Sequence, residues 1–163
     1  MFLRWVERTL NFFTALSAIA LAAMVLTVVA DVLSANLFHR PIIGAIDLVQ
    51  ALLPPIVFLG LPQIIFIEGN ITVDVIDHFI GKRCVALLRA SGGLMTSLYL
   101  GLLLWHMFAP AMDTWRFADH SPDLNIPITL IWVPVLLGMA ASLVAALIVF
   151  ARDFGESGDL GKH

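Results

Sequence analysis

Four long apolar blocks divide the chain, with short polar stretches between them. The runs without Asp, Glu, Lys or Arg are Leu10–Ala30, Leu48–Ile67, Ala90–Met112 and Ile126–Phe150. A helix of about 20 apolar residues crosses the roughly 30 Å hydrocarbon core of a bilayer. The pattern predicts an all-α membrane protein with four transmembrane helices, at about residues 10–33, 47–67, 84–109 and 126–151.

The longest polar interval, Glu68–Arg89, separates the first pair of helices from the second. Its apolar side chains recur at helical spacing, at Val73, Ile76, Phe79 and Ile80, and the opposite side carries Asp74, Asp77 and His78. This spacing predicts a short amphipathic helix that lies in the membrane interface. The three polar side chains could also be a metal cluster, but a solvated helix face explains them more simply, so we assign no metal site.

Composition supports a membrane protein. Hydrophobic residues make up 60% of the 163 residues and charged residues 13%, whereas soluble domains average roughly 45–50% and about 25%. The single cysteine, Cys84, excludes an internal disulfide and a cysteine-based metal cluster. We expect one membrane domain over residues 1–151, followed by a polar cytoplasmic tail over residues 152–163.

The basic residues predict the orientation of the chain. Four spans place both termini and the middle interval on one side of the membrane, together with Arg4, Arg8, Lys82, Arg83, Arg89, Arg152 and Lys162. Only Arg40 and Arg116 fall on the other side. Because cytoplasmic loops carry the excess of Lys and Arg, we expect cytoplasmic termini and outward-facing turns at residues 31–47 and 113–125.

Two features of the predicted helices concern their packing. Small residues recur every four positions, at Gly93, Ser97 and Gly101 in the third helix and at Gly138, Ser142 and Ala146 in the fourth. Such stripes allow close helix contact in lipid, against each other or against a partner subunit. The second helix contains Pro54, Pro55 and Pro62. It is either a broken helix that lines a substrate path or a kinked helix fitted into a bundle, and the absence of an accompanying charge favours the kinked helix.

The spans contain little chemistry, so we predict no enzyme activity, no catalytic residue and no cofactor. Away from the helix ends, His106 is the only ionisable side chain, and we place it at the outer interface of the third helix. The alternative is a haem ligand, which would make the chain the membrane anchor of a redox complex. Asp31 and Asp47 bracket the first outward turn and suit interface anchoring better than an ion site. A small multidrug exporter should carry an acidic residue inside its first helix, and Leu10–Ala30 has none.

Three motifs resemble the small, Q-type membrane subunit of tripartite ATP-independent periplasmic (TRAP) transporters, over about residues 10–150. The first motif is Asp31-Val32 followed by Arg40-Pro41, Gly44 and Asp47. The second is Gly69-Asn70-Ile71-Thr72-Val73-Asp74, similar to the family's Gly-His-Ile-x-Val-Asp. The third is Ser121-Pro122 followed by Ile126-Pro127, Trp132-Val133-Pro134 and Gly138. The chain departs from the family's pattern at Asn70, where histidine is usual, and at Ala35, where arginine is frequent.

This resemblance implies a non-catalytic subunit in a bacterial inner membrane. Its partners would be a large membrane subunit with the solute and sodium sites, and a periplasmic binding protein that delivers a carboxylate-bearing solute. The small subunit would extend the static scaffold against which the transport element of the large subunit slides, and it would bind no nucleic acid. Among the outward residues, we expect Asp113, Arg116 and Asp119 to contact the binding protein.

Overall fold

The computed structural model describes the backbone of residues 2–68 and 82–159, and side chains at residues 4, 6–67, 91–152 and 154. The described residues form four helices, α1 (Phe2–Phe38), α2 (Ala45–Glu68), α3 (Lys82–Phe117) and α4 (Thr129–Asp159). Each is long and apolar enough to cross a membrane, and the described residues form no strand. The prediction of an all-α protein with four spans is confirmed. The predicted interfacial helix and the motif residues Gly69, Asn70 and Asp74 lie outside the described residues.

The helices run further than the predicted spans. α1 ends at Phe38 instead of residue 33, and α3 ends at Phe117 instead of residue 109. α4 continues to Asp159, so most of the predicted tail is helical. Hydropathy marks only the part of a helix that suits lipid, whereas the helical backbone continues until a residue leaves the helical region. His39 (φ 53°) and Ala118 (φ 48°) take the left-handed conformation that ends many helices.

α2 and α4 are the two inner helices of the bundle. α4 packs against both α2 and α3, and α1 packs against α2. One apolar cluster joins Leu10 of α1, Phe66 of α2 and Ala145 of α4. A second cluster contains Leu100 of α3 and Met139 of α4. α1 and α3 therefore form the two edges of the arrangement, with large apolar side chains exposed along both.

The three prolines of α2 lie within one continuous helix, Ala45–Glu68. Pro62 is among the most completely buried residues described. α2 is thus one continuous helix and is not broken at its prolines, and the kink that the sequence suggests stays a prediction. Each proline leaves one backbone carbonyl of α2 without its helical N–H donor.

Candidate functional site

A buried carboxylate joins the two loops at one end of the bundle. This end, called the loop end below, carries residues 39–44 between α1 and α2 and residues 118–128 between α3 and α4. Asp47 lies in the first turn of α2 and is only 4% exposed. Its Oδ2 accepts hydrogen bonds from the amides of Asp123 (2.8 Å) and Leu124 (2.9 Å). A negative charge in the first turn also interacts favourably with the helix dipole of α2. The Asp47 side chain therefore stabilises the start of α2 and binds the loop between α3 and α4.

Gly44 provides the second contact between the loops. Its φ of +81° is a conformation that L residues rarely adopt, and the Leu124 side chain fills the position a Cβ would take. The carbonyl of Gly44 accepts the amide of Leu48 at 3.0 Å, which begins α2. Only glycine meets both the backbone and the space requirement here.

Side chains of α1 hold the first loop from the other side. The amide of Ile42 donates to Asp31 Oδ1 at 2.7 Å, and Ser34 Oγ donates to the carbonyl of Arg40 at 2.7 Å. Asp31 therefore lies within α1 and binds the returning backbone beside Pro41, rather than beginning the turn as predicted.

The second loop is held by backbone pairing around Ser121. Its amide donates to the carbonyl of Ile126 at 2.9 Å, and the amide of Ile126 donates back to Ser121 Oγ at 3.2 Å. The Ser121 side chain also hydrogen-bonds the Asp47 carboxylate. Pro127 pairs with His120 in an isolated bridge, and its carbonyl accepts the amide of Leu130 at the start of α4.

The predicted binding-protein residues occupy two different elements. Asp113 and Arg116 lie on the last turns of α3, because the helix continues to Phe117, and only Asp119 lies in the second loop. All three side chains are exposed at the loop end. The adjacent α3–α4 junction is held by Trp132, whose Nε1 donates to Thr114 Oγ1 at 3.2 Å.

α2 and α4 approach most closely at Gly138. A Cβ at this position would collide with the carbonyl group of Phe58 and lie 3.0 Å from the amide nitrogen of Leu59, both backbone atoms of α2. In a helix the Phe58 carbonyl would accept the amide of residue 62, but Pro62 has no N–H. The carbonyl that Pro62 releases thus lies against Gly138, and a glycine Cα–H can act as a weak hydrogen-bond donor to such a carbonyl.

The two small-residue stripes both lie in contacts between helices. On α3, Gly93 lies 3.4 Å from Phe150 and Gly101 lies 4.0 Å from Leu143, measured from the position of an added Cβ. The two glycines of the α3 stripe therefore pack on Phe150 and Leu143 of α4. In the α4 stripe, Gly138 contacts α2 and Ser142 is fully buried, with its Oγ donating to the Gly138 carbonyl at 2.8 Å. Ala146 is 2% exposed and belongs to the cluster that includes Leu100 of α3.

His106 lies eleven residues before the end of α3, within the candidate span Ser91–Phe117. The sequence-based prediction placed it nearer the helix end, because it assumed a helix ending near residue 109. Its Nδ1 lies 2.9 Å from the carbonyl of Leu102. The other described histidines, His39 and His120, lie in the loops.

Several residues of the site had no specific sequence signal. Leu124 is one apolar residue in a polar loop, and Ser34 is one of several hydroxyl residues on α1. Ser17 of α1 donates to the carbonyl of Ile56 of α2 at 2.7 Å, and nothing local distinguishes it from the threonines nearby. Asp47 could be singled out only through its motif, because its loop partners are 76 and 77 residues away.

Taken together, the described polar side chains tie helices and loops to one another. Among the described residues, no group of three His, Cys, Asp or Glu side chains could hold a metal ion. A family described as "Tripartite ATP-independent periplasmic transporters, DctQ component" matches residues 24–156, which include both loops. No curated protein and no solved structure matches the chain significantly.

Proposed function

The chain belongs to the DctQ family of TRAP transporter components, and from this membership we propose that it is the non-catalytic scaffold subunit of a sodium-coupled secondary transporter. In this proposal a larger membrane subunit carries the solute and sodium sites. A periplasmic binding protein delivers a carboxylate-bearing solute to the pair. The small subunit contributes a fixed wall beside the moving part of the large subunit.

The observation that best supports a scaffold is the cross-connection of the bundle at two depths. At the loop end, Asp47 binds the backbone of residues 123 and 124. Within the spans, Gly138 receives the carbonyl released by Pro62, and Ser17 bonds α1 to α2. These contacts bind α1, α2 and α4 to each other and resist sliding, which suits a static element better than a moving one.

We further propose an inner-membrane location with cytoplasmic termini. The seven basic residues on the terminal side, against two at the loop end, support this orientation. The loop end then faces the periplasm, where the binding protein arrives.

Within this orientation, Asp113, Arg116 and Asp119 are the proposed contacts for the binding protein. Reversing the three charges should weaken solute uptake, because complementary charges at an interface rim guide association. Membrane expression should not change, because all three side chains are exposed. Reversal of Glu7 and Arg8, which are exposed at the opposite end, is the matched control. Uptake that stays the same after reversal at the loop end would exclude this contact.

The subunit assignment itself is tested by uptake in cells that produce the large subunit and the binding protein. Uptake is expected only when this chain is also present and when sodium is in the medium. Potassium in place of sodium separates the coupling ion from the subunit assignment. The alternative of a haem-binding anchor predicts a Soret band in the purified protein, which the scaffold proposal does not.

A further inference from the structure

α3 carries a polar stripe on the face that points away from its own bundle. Tyr99, His106 and Asp113 are spaced seven residues apart. Each seven-residue step turns the side chain by only about 20° around the helix axis, so the three lie on one side of α3. All three are exposed, and Tyr99 is 63% exposed. Ser97 and Leu100 are buried and lie about 160° and 100° around the helix from Tyr99, and Leu100 shares an apolar cluster with Met139 of α4.

Two members of this stripe lie at the depth of the lipid tails. The uncharged run Ala90–Met112 is centred near residue 101. With a rise of about 1.5 Å per residue, Tyr99 lies about 3 Å from the centre and His106 about 7.5 Å from it. Both are well inside a hydrocarbon core of about 30 Å. Polar and ionisable side chains at such depths face other protein or water and not lipid, so this face must be covered in the assembled protein.

The hydrogen-bonding groups of the stripe define what can cover it. A carbonyl oxygen only accepts hydrogen bonds, so the 2.9 Å contact with Leu102 requires the proton on His106 Nδ1. In the neutral ring Nε2 is then an acceptor that points away from the helix backbone. Tyr99 offers both a donor and an acceptor. Near the other end of the same face, an added Cβ at Gly92 would meet nothing within 4 Å, so another helix can approach closely.

A second copy of this chain fits the stripe poorly. Two copies in one membrane share one orientation, and a two-fold pair would place each stripe residue beside itself. His106 would then face His106 with an acceptor on each side, and Asp113 would face Asp113 with like charges. The stripe instead requires a different helix that presents a donor opposite His106.

We propose that the stripe of Tyr99, His106 and Asp113 is the docking face for a transmembrane helix of the large TRAP subunit. The seven-residue period matches the left-handed crossing of about 20° that is common among membrane helices. The partner helix bears a hydrogen-bond donor, such as the side chain of Ser, Thr, Asn, Gln or Trp, at the level of His106. This inference rests on the proposed function, because that function supplies the large subunit.

The test uses the complete complex in native membranes, with a benzophenone amino acid placed at Tyr99 or at Leu98. These neighbours are 63% and 62% exposed and lie at nearly the same depth, but they point about 100° apart around α3. The probe at Tyr99 should form an adduct with the large subunit in several-fold higher yield than the probe at Leu98. Equal yields, an adduct with a second copy of this chain, or adducts with lipid alone would overturn the proposal.

A second measurement tests the hydrogen bonds that Tyr99 and His106 are proposed to make with the large subunit. Replacement of Tyr99 by Phe and of His106 by Leu should each weaken the retention of the large subunit in detergent, by roughly threefold per hydrogen bond lost. Leu98→Ala is the control and should retain it fully, and unchanged retention in both polar variants would contradict the inference. If the large subunit co-purifies and uptake requires this chain, but Tyr99 gives no adduct, only the docking face is wrong. If the two subunits never co-purify, the proposed function itself fails.

Discussion

The contact between Gly138 and the Phe58 carbonyl can be tested by adding a single methyl group. In Gly138→Ala the new Cβ would overlap the carbonyl of Phe58 and lie 3.0 Å from the nitrogen of Leu59. Neither group can rotate away, because both belong to the backbone of α2. The helices must separate until carbon contacts reach about 3.5–4.0 Å, and the Phe58 carbonyl then loses its weak donor in a region without water.

The expected cost follows from these two effects. Inserting a methyl group into a tightly packed contact costs about 1–3 kcal/mol. The lost Cα–H···O hydrogen bond adds about 0.5–1 kcal/mol. Gly138→Ala should therefore lower the free energy of unfolding by about 1.5–4 kcal/mol, less up to about 1 kcal/mol for the higher helix propensity of alanine.

The assay is unfolding of the isolated subunit in mixed micelles by increasing mole fractions of SDS, followed by tryptophan fluorescence. Gly92→Ala is the matched control, since nothing lies within 4 Å of its added Cβ. It should be neutral or more stable by up to about 1 kcal/mol, the helix-propensity gain of alanine over glycine. Equal stability of the Gly138 and Gly92 variants would refute the close contact.

A double-mutant cycle isolates the role of the proline. In Pro62→Ala the Phe58 carbonyl regains an intrahelical N–H. The Gly138→Ala change should then cost less by about 0.5–1 kcal/mol than in the natural background. If the effects of the two substitutions on the free energy of unfolding are strictly additive, the released Phe58 carbonyl is not stabilised by Gly138.

Three further predictions concern the loop end and the α1–α2 contact. Asp47→Ala should speed hydrogen exchange of the two loop amides it binds, and unchanged exchange would exclude the bridge. Gly44→Ala should destabilise the subunit, with about 1–2 kcal/mol from the left-handed backbone conformation alone. Adding Leu124→Ala should remove the collision between the new Cβ and the Leu124 side chain, but it should leave this backbone cost. Ser17→Ala should cost about 0.6 kcal/mol, the average for a hydrogen bond between membrane helices. Thr27→Ala should cost less, because Thr27 bonds a carbonyl of its own helix.

The sequence predicted the four membrane-spanning helices well, because hydropathy reports directly on lipid contact. The ends of α1 and α3 were wrong by five and eight residues, because the helical backbone continues past the apolar run until His39 and Ala118 turn it. For the same reason His106 was placed too near the helix end.

The site could be predicted only in part. The first motif correctly drew attention to Gly44 and Asp47, but its residues gave no indication that both contact a loop more than 70 residues away. The sequence identified Pro62 as a kink-forming residue and Gly138 as part of a small-residue stripe. Their contact depends on α2 packing beside α4, and the periodicity of single helices does not determine the order of helices in a bundle.

The most direct test of the scaffold function is reconstitution into proteoliposomes. The large subunit, the binding protein and this chain together should accumulate the carboxylate solute when an inward sodium gradient is applied. Omission of this chain should abolish accumulation, and this chain alone should move no solute. Full accumulation without this chain, or transport by this chain alone, would contradict the proposal that it is a non-catalytic and necessary scaffold.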